Sequence, residues 1–222
     1  MPKYIRNTQP ISQRKLKSII QPTNYQKSIL YGTVLGDTYI TFRRNMQIEQ
    51  ALSKKQYVDW LFTQLKSLTT GKGPTVVPRY DKRTKKYYFG YRFYTQNLFR
   101  EWRDLFYDDN KKKRLPHDFV ERLDEIALAI WFLDDGCKCT NVKRGVFITL
   151  DSYSLQEIDC IQRTLLERFG IASQLGRSGE SKSGNAQWRI TIAHENYDKL
   201  LQIIGPIVYQ IPSMVELKLV KD

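Results

Sequence analysis

Two aspartates stand at matching places in the chain. Asp37 lies near the end of the stretch Leu30–Thr38, LYGTVLGDT, and Asp135 near the end of Leu128–Gly136, LAIWFLDDG. Each follows an apolar run, Ile29 to Leu35 and Ile126 to Leu133, and each sits beside a small residue. A helix that is apolar all round is buried on most sides. Two such helices in one small protein most simply pack on each other, and Gly32 and Ala129 are small enough to let their backbones approach. The carboxylates then emerge together at two helix C-termini, where the negative end of the dipole opposes them. A cation between them would resolve the conflict, and hard oxygen ligands suit Mg²⁺. The bland alternative is a pair of ordinary solvent-exposed aspartates. The match between the two runs, in a basic chain, weighs against it.

The two aspartates are 98 positions apart in a chain of 222 residues, which suggests a duplication. Lys and Arg number 36 against 23 Asp and Glu, a net charge of +13. Such a field attracts polyanions and is the electrostatic signature of a nucleic-acid binder. The three cysteines, Cys137, Cys139 and Cys160, fit neither a disulfide framework nor a four-ligand zinc site, so a reducing compartment is expected. No apolar run is long enough to span a membrane, and no membrane partner is expected. The N-terminus is basic and lacks acids, as an organellar presequence would; prokaryotic cytoplasm and an organelle both remain open. His117 and His194 are isolated and belong to no histidine nuclease pattern.

Read in order, residues 1–24 form a basic, proline-containing arm. The first half, 25–116, opens with a helix from about Asn24 or Tyr25 to Gly36. A hairpin follows, with Ile40, Phe42, Met46 and Ile48 on its buried face. Ser53 begins S-K-K-Q, a capping-box pattern, before a helix to about Leu68. A second hairpin, Thr75 to Thr95, turns at Asp81–Lys86 and places Phe89, Tyr91 and Phe93 toward the core. A short helix runs from about Asn97 to Phe106. The second half, 117–222, repeats this order. A hairpin turns at Asn141 to Gly145, and Ser154 opens S-L-Q-E. Another hairpin pairs Ala172–Leu175 with Ala186–Ala193, and a helix near Asn196 to Ile204 precedes Pro206. Ser53 and Ser154 are 101 apart, and Asn97 and Asn196 are 99 apart. The predicted fold is α+β: two αββαββα halves related by a pseudo-twofold through the paired helices, carrying a saddle of two antiparallel four-stranded sheets.

LYGTVLGDT and LAIWFLDDG resemble the two motifs of single-chain, intron-encoded LAGLIDADG homing endonucleases. MQIEQ, the run KRLP at Lys113 and the closing IPSMVELKL extend the resemblance over about residues 25 to 220. Motif one departs from the strict pattern at Tyr31, Thr33 and Thr38, and motif two at Ile130 and Trp131; both final aspartates are kept. The resemblance implies that Asp37 and Asp135, with the carbonyls of Gly36 and Asp134, hold divalent metal at the DNA strands. Mg²⁺ is the implied cofactor, with Mn²⁺ able to substitute and Ca²⁺ able to bind without supporting cleavage. It further implies Lys113 and Lys218 as the basic residue of each half, stabilising developing phosphate charge, and Gln47 as a water-positioning residue. Gln47 has no clear second-half counterpart; Thr149 and Asp151 are candidates. Asp134 is expected to be structural.

DNA reading is expected from the polar sheet faces in the major groove. The candidate contacts are Arg43, Arg44, Gln47, Arg79, Lys82, Arg83, Lys85, Lys86 and Arg92 in the first half. In the second they are Lys138, Lys143, Arg144, Arg177, Lys182, Gln187 and Arg189. The register after Asp135 is open, with either the cysteines or Lys138 and Thr140 facing out. The leading expectation is a sequence-specific, metal-dependent endonuclease acting on double-stranded DNA as a monomer. The alternative is a maturase that binds a group I intron RNA to assist splicing. A non-catalytic DNA-binding regulator would be expected to lose one aspartate.

Overall fold

The computed structural model describes residues 20–139, 145–181, 184 and 186–219. Most of the basic arm, and Lys143, Arg144 and Lys182, lie outside the described residues.

Helix α1 spans Asn24–Leu35. Thr23 caps it: its hydroxyl accepts from Gln26 N at 3.2 Å while Gln26 Oε1 accepts from Thr23 N at 3.1 Å. The second motif helix, called α5 here in chain order, spans Glu125–Asp135 and is capped by Asp124, which accepts from Ala127 N at 2.8 Å. Every residue of α1 from Ile29 to Leu35 and of α5 from Ala127 to Asp134 is buried. That is the result expected for helices with no polar face. The two pack on each other. Gly32 makes the approach possible: a Cβ there would lie 2.5 Å from the Ala127 carbonyl and 2.7 Å from Ile130 Cβ. Its partners are thus Ala127 and Ile130 rather than Ala129.

Each half carries one four-stranded antiparallel sheet. In the first, β1 (Tyr39–Ile40), β2 (Met46–Ala51), β3 (Thr75–Asp81) and β4 (Lys86–Tyr94) lie in the order β1-β2-β4-β3. Helix α2 (Lys55–Gln64) covers the core side, and α3 (Arg100–Phe106) follows. After the single-turn α4 (Phe119–Arg122), the second sheet repeats the order with β5 (Gly136–Lys138), β6 (Val146–Thr149), β7 (Gln174–Glu180) and β8 (Ala186–Ile192). Its helices are α6 (Leu155–Phe169), α7 (His194–Val208) and α8 (Pro212–Lys218). Among the described residues, no helix is long and apolar enough to cross a membrane.

Several local expectations change. Phe42 is not on the buried face: β1 ends at Ile40, and Phe42 lies in the turn, 63% exposed. Ser53 forms no cap: residues 52–54 make a 3-10 turn and α2 begins after Lys54, with no side-chain cap. Ser154 does form its capping box with Glu157. Strand β7 continues to Glu180 through a bulge between Arg177 and Gly179 instead of ending near Leu175. Helix α7 runs through Pro206, because burial of Ile204, Ile207 and Val208 outweighs the hydrogen bond that proline removes.

Candidate active site

The helix pair delivers Asp37 and Asp135 to one place. Asp37 is exposed just past α1, while Asp135 is half-buried at the end of α5 and accepts from Trp131 Nε1 at 3.0 Å. Burial, and then the neighbouring charge of Asp37, raises the Asp135 pKa to about 6. The preceding carbonyls are treated alike in the two halves. Lys113 Nζ donates to the Gly36 carbonyl, and Lys218 Nζ donates to the Asp134 carbonyl at 3.0 Å and to that of Gly136 at 2.6 Å. Lys218 is only 6% exposed, so it is no surface lysine. Burial lowers both lysines; Lys218 comes down to about 8.

Asp134 reaches across the helix interface into the first half. Its carboxylate accepts from Asp37 N at 3.2 Å, Gln50 Nε2 at 2.9 Å and Tyr57 OH at 3.0 Å. Gly36 leaves the room: a Cβ there would fall 2.5 Å from both Cβ and Oδ2 of Asp134. Burial, with the charges of Asp37 and Asp135 nearby, pushes the Asp134 carboxyl well above its usual range, which the Asp37 N–H and the Lys54 charge only partly oppose. Gln50 Nε2 also donates to Asp37 Oδ2 at 2.9 Å, and Gln50 Oε1 accepts from Lys54 Nζ at 2.8 Å. The expected positioning glutamine, Gln47, instead bonds Glu49 at 3.0 Å and Tyr94 at 3.1 Å on the open sheet face. Gln47 and Asp37 line one concavity of about 430 Å³. Gln50, Lys54 and Tyr57 were not among the sequence candidates. The available signal was a glutamine in phase with Met46 and Ile48, on the buried side of β2.

Among the described residues, no three His, Cys, Asp or Glu side chains are clustered to hold a metal. Two carboxylates, Asp37 and Asp135, with the neighbouring carbonyl oxygens are hard oxygen donors of the kind that would suit a divalent cation. The carbonyls of Gly36 and Asp134 each already meet an ammonium group here, so both are oriented toward positive charge beside the carboxylates.

The profile of the LAGLIDADG DNA endonuclease family matches residues 27–200. The chain belongs to that family. It is 26% identical over 227 residues to the cytochrome b mRNA maturase bI2 of Saccharomyces cerevisiae, which covers 96% of this chain. The chain spans about half of that relative, 52% of its length. Over 121 residues it is 29% identical to the intron-encoded endonuclease ai4 of Dictyostelium discoideum, 54% of this chain and 70% of the relative. Among solved structures, the homing endonuclease I-WcaI bound to its DNA recognition sequence superposes with a TM-score of 0.80. It is 22% identical and covers 96% of both chains, a likeness of fold.

The LAGLIDADG sheets sort the remaining candidates by register. Gln47, Arg79, Lys86 and Arg92 lie on the open face of the first sheet, which also carries Tyr39, Tyr88 and Tyr94. Arg79 and Arg92 converge on Glu49, at 2.7 Å and 3.5 Å. Arg43, Arg44, Lys82, Arg83 and Lys85 are exposed at hairpin turns. In the second sheet Gln187 and Arg189 are on the open face; Arg189 lies over the Phe147 ring and Gln187 bonds Asp151 at 3.0 Å. Two candidates fall elsewhere. Arg177 pairs with Trp188 on the core-facing side, and Lys138 pairs with Val146 and donates to the Glu216 carbonyl. Strand β5 therefore turns Cys137, not Lys138, to the open face. The counterpart of Gln47 is Phe147: Gln47 lies opposite Tyr39 as Phe147 lies opposite Cys137, so neither Thr149 nor Asp151 takes that place.

Proposed function

We propose that this chain is a sequence-specific, divalent-metal-dependent homing endonuclease that breaks both strands of duplex DNA as a monomer. The observation that carries the reading is the paired arrangement Asp37–Gly36–Lys113 and Asp135–Asp134–Lys218, one set per half, at the ends of packed helices. Asp37 and Asp135, with the Gly36 and Asp134 carbonyls, would hold Mg²⁺. Bound there, the cation supplies Lewis-acid activation of water and charge neutralisation at the phosphate. Lys113 and Lys218 are positioned to balance charge that develops on the phosphate as water adds and the 3′ oxygen departs. Gln50 orients the Asp37 carboxylate through its amide N–H, and Lys54 holds the other end of that amide. The open sheet faces supply the duplex contacts, and two linked halves make an asymmetric target readable by one chain.

A second reading, an intron maturase, is favoured by the named activity of the yeast relative and by the net charge of +13. It is compatible with retained cleavage chemistry. Either role suits a compartment whose genes carry introns, organellar or prokaryotic.

The test is the pair Asp37→Asn and Asp135→Asn, assayed for cleavage and for binding of the same duplex. Each is expected to abolish double-strand cleavage, by about a thousandfold or more, with duplex affinity nearly unchanged. Full cleavage by either variant would remove the metal-site assignment.

A further inference from the structure

The outer hairpin of the first sheet has a second face that the duplex reading does not use. Directly opposed residues share a face, so Val76–Tyr91, Pro78–Phe89 and Tyr80–Tyr87 all lie on the core-facing side. Helix α2 covers this side only as far as Tyr91, whose hydroxyl donates to Asp59 at 2.9 Å and whose ring lies 5.0 Å from Lys55 Nζ. Since α2 begins at Lys55, the hairpin projects beyond it. Tyr80, Tyr87 and Phe89 are 51%, 65% and 49% exposed, and the Tyr80 and Tyr87 rings sit 5.1 Å apart. The turn at the tip carries the exposed cations Lys82, Arg83 and Lys85. Its one acid, Asp81, is occupied by the Arg83 backbone N–H at 2.8 Å and by the Arg83 guanidinium at 3.8 Å. Among the described residues the second half has no equivalent: there Arg177 faces Trp188, and Glu180 faces Ala186. The aromatic face is therefore not a requirement of the repeated fold.

We propose that this face binds single-stranded RNA. Exposed rings bordered by cations form a stacking platform for unpaired bases, with phosphates meeting the turn. The cationic rim favours a polyanion over an apolar protein partner. A duplex keeps its bases stacked inside and would leave the rings unused. The tyrosine hydroxyls add polar groups at the platform that can meet a ribose 2′-OH. The platform lies on the opposite side of the sheet from Gln47, Arg79 and Arg92, so bases stacked here leave the open sheet face free, and only the turn cations Lys82, Arg83 and Lys85 would be common to both ligands. The proposal deepens the RNA-binding reading and is independent of cleavage.

The test is fluorescence anisotropy of a labelled 12-nucleotide uridine-rich RNA with the full chain, beside a DNA strand of the same sequence and a DNA duplex of equal length. Tyr80→Ala/Tyr87→Ala is expected to weaken RNA binding by about tenfold or more and to leave duplex binding within about twofold. Tyr80→Phe/Tyr87→Phe, which keeps the rings, is expected to retain most of the RNA affinity. Unchanged RNA affinity in the alanine variant, equal losses on RNA and duplex, or a parental preference for the DNA strand would each overturn the proposal. Photocrosslinking of 4-thiouridine RNA to the parent protein avoids any folding defect of the variant. Crosslinks within residues 75–94 support the assignment, and crosslinks confined elsewhere refute it.

Discussion

In the first half, Lys113 donates to the carbonyl that precedes Asp37; in the second, Lys218 donates to the carbonyl that precedes Asp135. Around this shared contact the halves diverge. In the first, Gln50 bonds Asp37 and is itself held by Lys54, and the Asp134 carboxylate is received by Gln50 and Tyr57. By strand register Leu150 takes the place of Gln50, and Leu150 is buried and apolar. Phe147 takes the place of Gln47. The Asp135 carboxylate is held by Trp131 from its own helix. Each half keeps a carboxylate, a carbonyl and an ammonium, while the groups that orient the carboxylate differ. On the proposed cleavage reaction, two inequivalent centres would act on the two strands at unequal rates, with the first half the better organised.

Substitutions separate what the two halves share from what they do not. Lys113→Met and Lys218→Met should each slow cleavage by about 10²–10³, with similar losses, because the lysine–carbonyl contact is common to both halves. Kinetics on a supercoiled plasmid would check it; a large loss at Lys113 with none at Lys218 would end the equivalence. Gln50→Leu copies the second half into the first. It should cost about ten- to a hundredfold on one strand only, seen as a change in which strand is nicked first. Equal slowing of both strands would mean that Gln50 supports the fold and not one centre.

The smallest effect is on stability. The folded-state pKa of Asp135 lies near 6, above the usual value of 3.8. Between those pH values the folded state holds the proton that the unfolded state has released, so this group lowers metal-free stability as pH rises from about 4 to about 6. Asp135→Asn keeps the Trp131 partner without the charge. It should therefore stabilise the metal-free protein above pH 6 by at most about 3 kcal/mol, and little at pH 4. Melting curves at the two pH values decide it.

Much of this arrangement was legible in the residues. Apolar runs with no polar face could only be buried helices, and the burial of Ile29–Leu35 and Ala127–Asp134 follows directly. Period-2 alternation placed Tyr91 and Phe93 in the core and Arg92 and Tyr94 on the open face. What was not legible depends on long-range geometry. Gln50 reads as one more polar residue after MQIE, and only the crossing of the helices brings Asp134 to it. Lys138 and Arg177 have the right residue type for DNA contact, but the parity of Lys138 depends on where β5 starts, and Arg177 shares the core-facing parity of Leu175 once β7 continues past it. Ser53 carries a capping pattern that a 3-10 turn pre-empts. The aromatic residues of the outer hairpin alternate as a core strand would; their exposure depends on where α2 begins.

The most direct test of the central claim is cleavage of a randomised duplex library by the parent chain and by Asp135→Asn, with and without Mg²⁺. One long preferred site is expected, cut on both strands only by the parent and only with metal. Cleavage by the Asp135→Asn chain, or no cleavage of any duplex by the parent with Mg²⁺ present, would contradict it.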